Sequence, residues 1–204
     1  MSKLELFIDL DEVLCDLSDA IRLRVNKDFN KNYPKGFNKN YWWGDYGIDR
    51  SYFENLLNEK DLFLNLKPID GAIETLSKLH EEGYDIHILT CAQINYNCFY
   101  EKALWVKRYL PFIDIETNFH TTGNKGLFAK KNRILLDDNP IYLQQWLDND
   151  GMPIAFNQGW NQDFEGYRAN SWSGFYNIIK NIEISETNMD LDKFRDYMKG
   201  FYHE

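Results

Sequence analysis

Two aspartates one residue apart, Asp9 and Asp11, end a short apolar run from Leu6 to Ile8. A run of that length reads as a buried strand of a parallel sheet. Such sheets carry their ligands in the crevice outside the carboxyl ends of the strands. Because side chains alternate along a strand, Asp9 and Asp11 are expected on one face. Two carboxylates this close repel in water and more strongly in a cleft, so a cation is expected between them. Three further features stand at the ends of predicted elements. Thr90 follows the run Tyr84 to Leu89, Lys125 sits in the loop Thr121-Thr122-Gly123-Asn124-Lys125-Gly126, and Asp137-Asp138 ends the run Arg133 to Leu136. Each has a plain structural reading as well. Asp-x-Asp is common in turns, and a strand-terminal Thr often serves as a hydrogen-bonding turn residue. A loop lysine is usually solvated, with Lys130 and Lys131 as rivals, and Asp-Asp before Asn-Pro starts helices.

The elements that must position these residues alternate. A helix is expected over Val13 to Val25, with Leu14, Leu17, Ile21 and Val25 on one stripe. From Asn26 to Asp49 the composition shifts to Asn, Lys, Gly and aromatics, including Tyr41-Trp42-Trp43-Gly44-Asp45-Tyr46. This stretch reads as loops and short helices of an insert, followed by a helix that Ser51 caps and that runs through Lys60. Pro68 and Asp70-Gly71 mark the return to the main fold. Asp70 is expected to cap a helix carrying Ile73, Leu76 and Leu79 and ending at Gly83. A helix with Phe99, Ala103, Val106 and Leu110 inward stops at Pro111, and a weaker strand is expected near Ile115 to Phe119. A helix from Pro140 to Leu147, a last strand from Pro153 to Phe156 and a helix capped by Ser171 complete the series. The tail from Glu183 is charged and is expected to be helical from Asp190.

Alternation of this kind predicts an α/β fold with a doubly wound parallel sheet. The expected division is a core of 1–16 and 70–180, a cap of 17–69 inserted after the first strand, and a C-terminal helical tail of 181–204. Apolar content of 44% and aromatic content of 16% fit an ordered globular chain. A net charge of −9 argues against nucleic acid polymers as partners, and no basic stripe is seen. Cys15, Cys91 and Cys98 lack metal-ligand spacing and read as reduced thiols of a cytoplasmic protein. Neither a signal peptide nor a membrane span is expected.

The order Asp9-x-Asp11, Thr90, Lys125, Asp137-Asp138 resembles the four motifs of the haloacid dehalogenase-like (HAD) phosphatases. That resemblance implies a Rossmann-like core, Mg²⁺ and a phospho-aspartate intermediate. Narrower stretches resemble the 5′(3′)-deoxyribonucleotidases within that superfamily. They are Asp9-Leu-Asp-Glu-Val-Leu-Cys-Asp16, Lys67-Pro68-Ile69-Asp70-Gly71-Ala72, Tyr100-Glu101-Lys102-Ala103-Leu104-Trp105-Val106, Ile134-Leu-Leu-Asp-Asp-Asn-Pro140 and Ser171-Trp172. Glu12 departs from the Gly common after the second Asp. The expected reaction is Mg²⁺-dependent hydrolysis of a (deoxy)ribonucleoside monophosphate. Asp9 would attack phosphorus, and Asp11 would act as general acid and then base. The resemblance implies a metal that meets the Asp9 side chain and the Asp11 carbonyl, with Asp138 or Asp137 as the remaining protein ligand. Thr90 and the backbone N–H of Cys91 would hold phosphate oxygens, and Lys125 would offset charge. Tyr41, Trp42 and Trp43 match the family's base-binding segment, whose two other stacking positions fall on Leu17 and Leu57. A homodimer is a further implication of the resemblance. The alternatives are a HAD phosphatase for another small phosphate ester and a catalytically silent nucleotide-binding module.

Overall fold

The computed structural model describes residues 4–92 and 96–188. Six parallel strands form one sheet: β1 (Glu5–Ile8), β2 (Asp85–Thr90), β3 (Phe119–Thr121), β4 (Arg133–Asp137), β5 (Met152–Phe156) and β6 (Tyr167–Ala169). Their spatial order is β3-β2-β1-β4-β5-β6. The order reverses direction at β1, and a crevice opens at such a switch point. The register pairs Ile8 with Ile88 on one side and Leu136 on the other. Asp9, Thr90 and Asp137 therefore emerge together at the carboxyl ends of three adjacent strands. Alternation along the strands splits the core. Leu6, Ile8, Ile88 and Leu136 join the main apolar cluster, while Phe7, Leu89 and Leu135 pack with Trp146 on the opposite face.

Among the described residues six α-helices accompany the sheet: α1 (Leu17–Asp28), α2 (Arg50–Leu57), α3 (Ala72–Glu81), α4 (Tyr96–Tyr109), α5 (Pro140–Asp148) and α6 (Trp172–Asn188). Among the described residues no helix is long and apolar enough to cross a membrane. The chain leaves β1 and returns to α3 side by side. The Asp16 N–H donates to the Lys67 carbonyl at 3.0 Å, and the Ile69 N–H to the Leu14 carbonyl at 2.9 Å. Between these points lie α1, α2 and the aromatic segment, whose Trp43, Tyr46 and Phe53 join the main cluster.

Several boundaries differ from the sequence expectation, each for a local reason. Helix α1 begins at Leu17 rather than Val13, because the N–H groups of Leu14 and Cys15 both turn back onto the Leu10 carbonyl. Asp16 then caps it, accepting from the Asp19 N–H at 3.0 Å. Asp49, not Ser51, caps α2 by accepting from the Ser51 N–H, and the helix stops at Leu57. The residue before α3 is Gly71 at φ 80° rather than a capping Asp70. Only glycine takes that left-handed turn without strain. The far end of α3 matches expectation, with Gly83 also left-handed. On α4 the buried face is Cys98, Lys102, Trp105 and Val106, with Leu110 buried just past its end, while Phe99 is 49% exposed. β3 starts at Phe119 because Asp114 folds the preceding residues into a turn, accepting from the N–H groups of Glu116 and Asn118. β6 is a strand the sequence reading omits, too short at three residues to show a period. The expected helix from Asp190 lies outside the described residues.

Candidate active site

Lys125 is wholly buried, with Nζ 2.6 Å from Asp9 Oδ1 and 2.6 Å from Asp137 Oδ2. Its rivals Lys130 and Lys131 are exposed. The turn over 125–128 that carries it docks on α5 through Gly126. A Cβ at Gly126 would stand 2.8 Å from the Gln145 carbonyl, so a side chain there would push the turn away. Gln145 Oε1 accepts the Lys125 N–H at 2.9 Å, and the Tyr142 ring lies 4.6 Å from the ammonium.

Asp11 faces a different lysine. Lys102 Nζ donates to Asp11 Oδ2 at 2.6 Å, to Thr90 Oγ1 at 3.1 Å and to the Cys91 carbonyl at 2.9 Å. The single cation expected between Asp9 and Asp11 is thus two, one for each acid. Lys102 belongs to the Glu-Lys-x-x-Trp helix stretch, and the structure gives that pattern a physical meaning. Glu101 accepts from the N–H groups of Asp61 and Phe63, at 2.6 and 3.0 Å. The Trp105 indole donates to the Leu66 carbonyl at 2.8 Å. Both grip the returning end of the insert. Trp172 works from the other side, its indole donating to the Val13 carbonyl at 3.0 Å.

Asp137 Oδ1 accepts the Asn139 N–H at 2.9 Å, leaving both of its oxygens engaged. Asp138 Oδ2 accepts the Trp160 indole N–H at 2.8 Å. One oxygen from each of Asp9, Asp137 and Asp138 lies within 4.8 Å of the others. The Asp11 carboxylate, turned to Lys102, stands outside this group. Five carboxyl groups (Asp9, Asp11, Glu12, Asp137, Asp138) gather here against two ammonium groups (Lys102, Lys125). Burial pushes the Asp9 carboxyl up, with Lys125 pulling it down. Burial lifts Asp137 to about 7 against the same pull. Asp138 is raised by burial and by its neighbours Asp137 and Asp9. Burial alone would lower both lysines, yet Asp137 and Asp9 hold Lys125 above its usual range, and Asp11 does so for Lys102. An all-oxygen donor set with excess negative charge in a dry site fits a hard divalent cation.

Glu12 has φ 59°, the left-handed region, which explains physically why glycine suits this position. Its buried carboxyl accepts from the Ser18 N–H, and burial lifts it to about 8.

A cavity of about 250 Å³ opens over the acids. Asp9, Asp11, Cys91, Lys102 and Asp138 border it, and Leu17, Tyr41, Trp42, Trp43, Leu57 and Trp160 form much of its wall. Thr90, Lys125 and Asp137 lie behind the floor, fully buried. Trp42 and Trp43 sit consecutively at φ 59° and 55°. Such conformations cost non-glycine residues on the order of 1 kcal/mol each and cluster at ligand sites. The Trp43 indole donates to Ser18 Oγ at 3.2 Å, Arg50 covers the Trp42 ring at 4.2 Å, and Tyr41 Oη accepts from Asn139 Nδ2 at 3.0 Å. The sequence alone assigns no role to Lys102 or Trp160. For Lys102 a signal existed, a charge between Cys98 and Trp105 on what becomes the buried face of α4. Trp160 carried none.

Solved structures place this fold in one class. A HAD-like hydrolase from Xanthomonas campestris superposes with a TM-score of 0.56 at 9% identity, covering 92% of this chain and 95% of the other. A HAD hydrolase from Bacillus subtilis bound to magnesium gives 0.54 at 16% identity, covering 88% and 99%. The α/β core is that of the HAD hydrolases. Within that class, the family model described as 5′ nucleotidase, deoxy (pyrimidine), cytosolic type C protein matches residues 3–184, and the chain belongs to this family. A candidate 5′(3′)-deoxyribonucleotidase of Staphylococcus epidermidis is 29% identical over 184 residues, covering 90% of this chain and 99% of the relative. One from Chlorobaculum tepidum is 26% identical over 191 residues, covering 85% and 88%. The chain is a phosphoric monoester hydrolase of the nucleotide phosphatase kind.

Proposed function

We propose that the chain hydrolyses (deoxy)ribonucleoside monophosphates to nucleoside and phosphate, with Mg²⁺, through an aspartyl-phosphate on Asp9. The observation that carries this reading is the pairing of Asp9 and Asp11, which border an aromatic-walled cavity, with separate buried lysines. Asp9 and Asp138 would hold the ion, with the Asp11 carbonyl, while Asp137 serves chiefly to hold Lys125. Bound there, the ion would neutralise phosphate charge and polarise the phosphoryl group.

The chain's own residues account for the remaining steps. Lys125 fixes one oxygen of Asp9 and leaves the other to attack phosphorus as the ester P–O bond breaks. As general acid, Asp11 supplies the proton that the leaving group needs. Lys102 holds Asp11 Oδ2, so Oδ1 delivers that proton to the departing sugar oxygen. A water then gives a proton to Asp11 and attacks phosphorus, and the bond to Asp9 breaks to release phosphate. The Cys91 N–H is offered to a phosphate oxygen, and Thr90, whose buried Oγ1 accepts from Lys102, would support it from behind. Lys125 offsets charge on five-coordinate phosphorus. Residues 17–69 act as the substrate-contacting cap over the core of 1–16 and 70–180. Tyr41, Trp42 and Trp43 supply its aromatic face, where a base stacked on indole gains on the order of 1–3 kcal/mol.

The test is phosphate release from the deoxy- and ribonucleoside monophosphates and from p-nitrophenyl phosphate, each with and without Mg²⁺. Faster turnover of a nucleotide, abolished by EDTA, is expected. Equal turnover of all esters would point to a general phosphatase, and binding without turnover to a silent nucleotide-binding module.

A further inference from the structure

Asp137 and Asp138 are neighbours in sequence but differ in what holds them. Asp137 gives one oxygen to the Lys125 ammonium, a charged donor that it shares with Asp9. Asp138 gives Oδ2 to the Trp160 indole at 2.8 Å, a neutral donor that fixes a carboxylate's rotation while leaving its charge intact. We propose that Trp160 is a positioning residue for the divalent ion, its N–H orienting Asp138 as a ligand. The inference rests on the metal reading given above.

The segment that carries the indole is itself anchored to Asp138. Asn161 Nδ2 donates to the Asp138 carbonyl at 2.9 Å and to the Phe156 carbonyl at 2.8 Å. Arg168 holds Asn161 through its Oδ1 and carbonyl, at 2.6 and 2.8 Å. Gln158 Nε2 reaches the Glu12 carbonyl at 3.0 Å. The side chain and backbone of Asp138 are thus referred to one short stretch, 158–161. Partners of this kind set ligand orientation, and their loss commonly weakens metal binding about 10- to 100-fold. The indole ring also stands 6.4 Å from the Tyr41 ring. Trp160→Phe therefore removes the N–H while keeping an aromatic ring against Tyr41.

The experiment titrates the full chain with Mn²⁺ alone, reading free ion by electron paramagnetic resonance, with Tm and far-UV circular dichroism as controls. Trp160→Phe is expected to weaken Mn²⁺ binding about 10-fold, Trp160→His, which restores an N–H, to recover most of it, and Asp138→Asn to remove it. Wild-type affinity in Trp160→Phe, with binding lost in Asp138→Asn, overturns the inference and leaves the metal reading standing. Equal weakening in Trp160→Phe and Trp160→His also overturns it, since packing rather than the donor would then matter. Undiminished binding in Asp138→Asn overturns the metal reading itself. Should Trp160→Phe not fold, Trp160→Leu against Trp160→Gln makes the same comparison of donor absent and donor present.

Discussion

Both ends of the central strands gather three ligand-type residues, and the two groups behave differently. At the carboxyl end stand Asp9, Asp137 and Asp138, and at the amino end Glu5, Asp85 and His87, each set with ligand atoms within 4.8 Å of one another. The amino-end charges close among themselves. Glu5 takes the Arg133 guanidinium at 2.7 Å and the Asn132 amide at 3.1 Å. Asp85 accepts from Asn118 at 3.1 Å, and His87 Nδ1 lies 3.0 Å from His120 Nε2. Burial and the neighbouring His87 press the His120 pKa down. The Asp85 side chain is 59% exposed, so water screens what is left. At the carboxyl end the acids are dry, outnumber their lysines and face a cavity. Proximity of ligand atoms alone does not make a site; uncompensated charge beside a space does.

The largest expected effect is at the carboxyl end. Asp9→Asn should cut phosphate release by at least about 10⁴-fold with far-UV circular dichroism unchanged. Activity within tenfold of wild type would remove Asp9 as nucleophile. Replacing the lysine there and the arginine at the other end contrasts the two clusters directly. Lys125→Met strands two buried acids and should lower stability by about 3–5 kcal/mol in urea unfolding. Arg133→Met, beside partly exposed Glu5, should cost about 0–1 kcal/mol. Equal losses would erase the distinction.

Next comes the cavity wall, where Trp42→Ala should raise KM for a nucleotide substrate about 5- to 150-fold, the equivalent of losing one stacked base. An unchanged KM would assign Trp42 to the insert's own packing.

The acids also predict a pH dependence. The Asp137 carboxyl, raised from 3.8 to about 7, keeps its proton in the folded chain after the unfolded chain has lost it. Between those values the unfolded state binds fewer protons, so these raised carboxyls make metal-free stability fall as pH rises. An ion that takes up the charge should therefore lift Tm more at about pH 7.5 than at about pH 4.5. A Mg²⁺ effect on Tm no larger at the higher pH contradicts this. The smallest effect on activity belongs to the amino end, where His87, stacked on Phe7 and away from the cavity, should on change to Asn leave phosphate release within about twofold.

Much of this contrast was legible in the chain itself. Short apolar runs ending in Asp9, Thr90 and Asp137 located three adjacent strands, because a fully buried parallel strand allows little else. The helix ends were less legible, since Asp49 and Gly71 won over Ser51 and Asp70 through local turn geometry rather than composition. β6 was too short to show a period. Within the candidate site the acids announced themselves through their pairing, whereas Lys102 lay hidden in a helix whose apolar stripe was read through Phe99. Trp160 reaches Asp138 only because β4 and β5 pair in the sheet, a long-range fact without a local pattern.

Adjacent residues on α4 carry a mechanical consequence. Glu101 clamps the insert where it comes home, and Lys102, the very next residue, grips Asp11. Any swing of the insert that loosened the first grip would tug on the second. The limb that returns from residues 61–66 and the carboxylate of Asp11 are therefore referred to the same turn of α4, so a change at either residue is felt at both places.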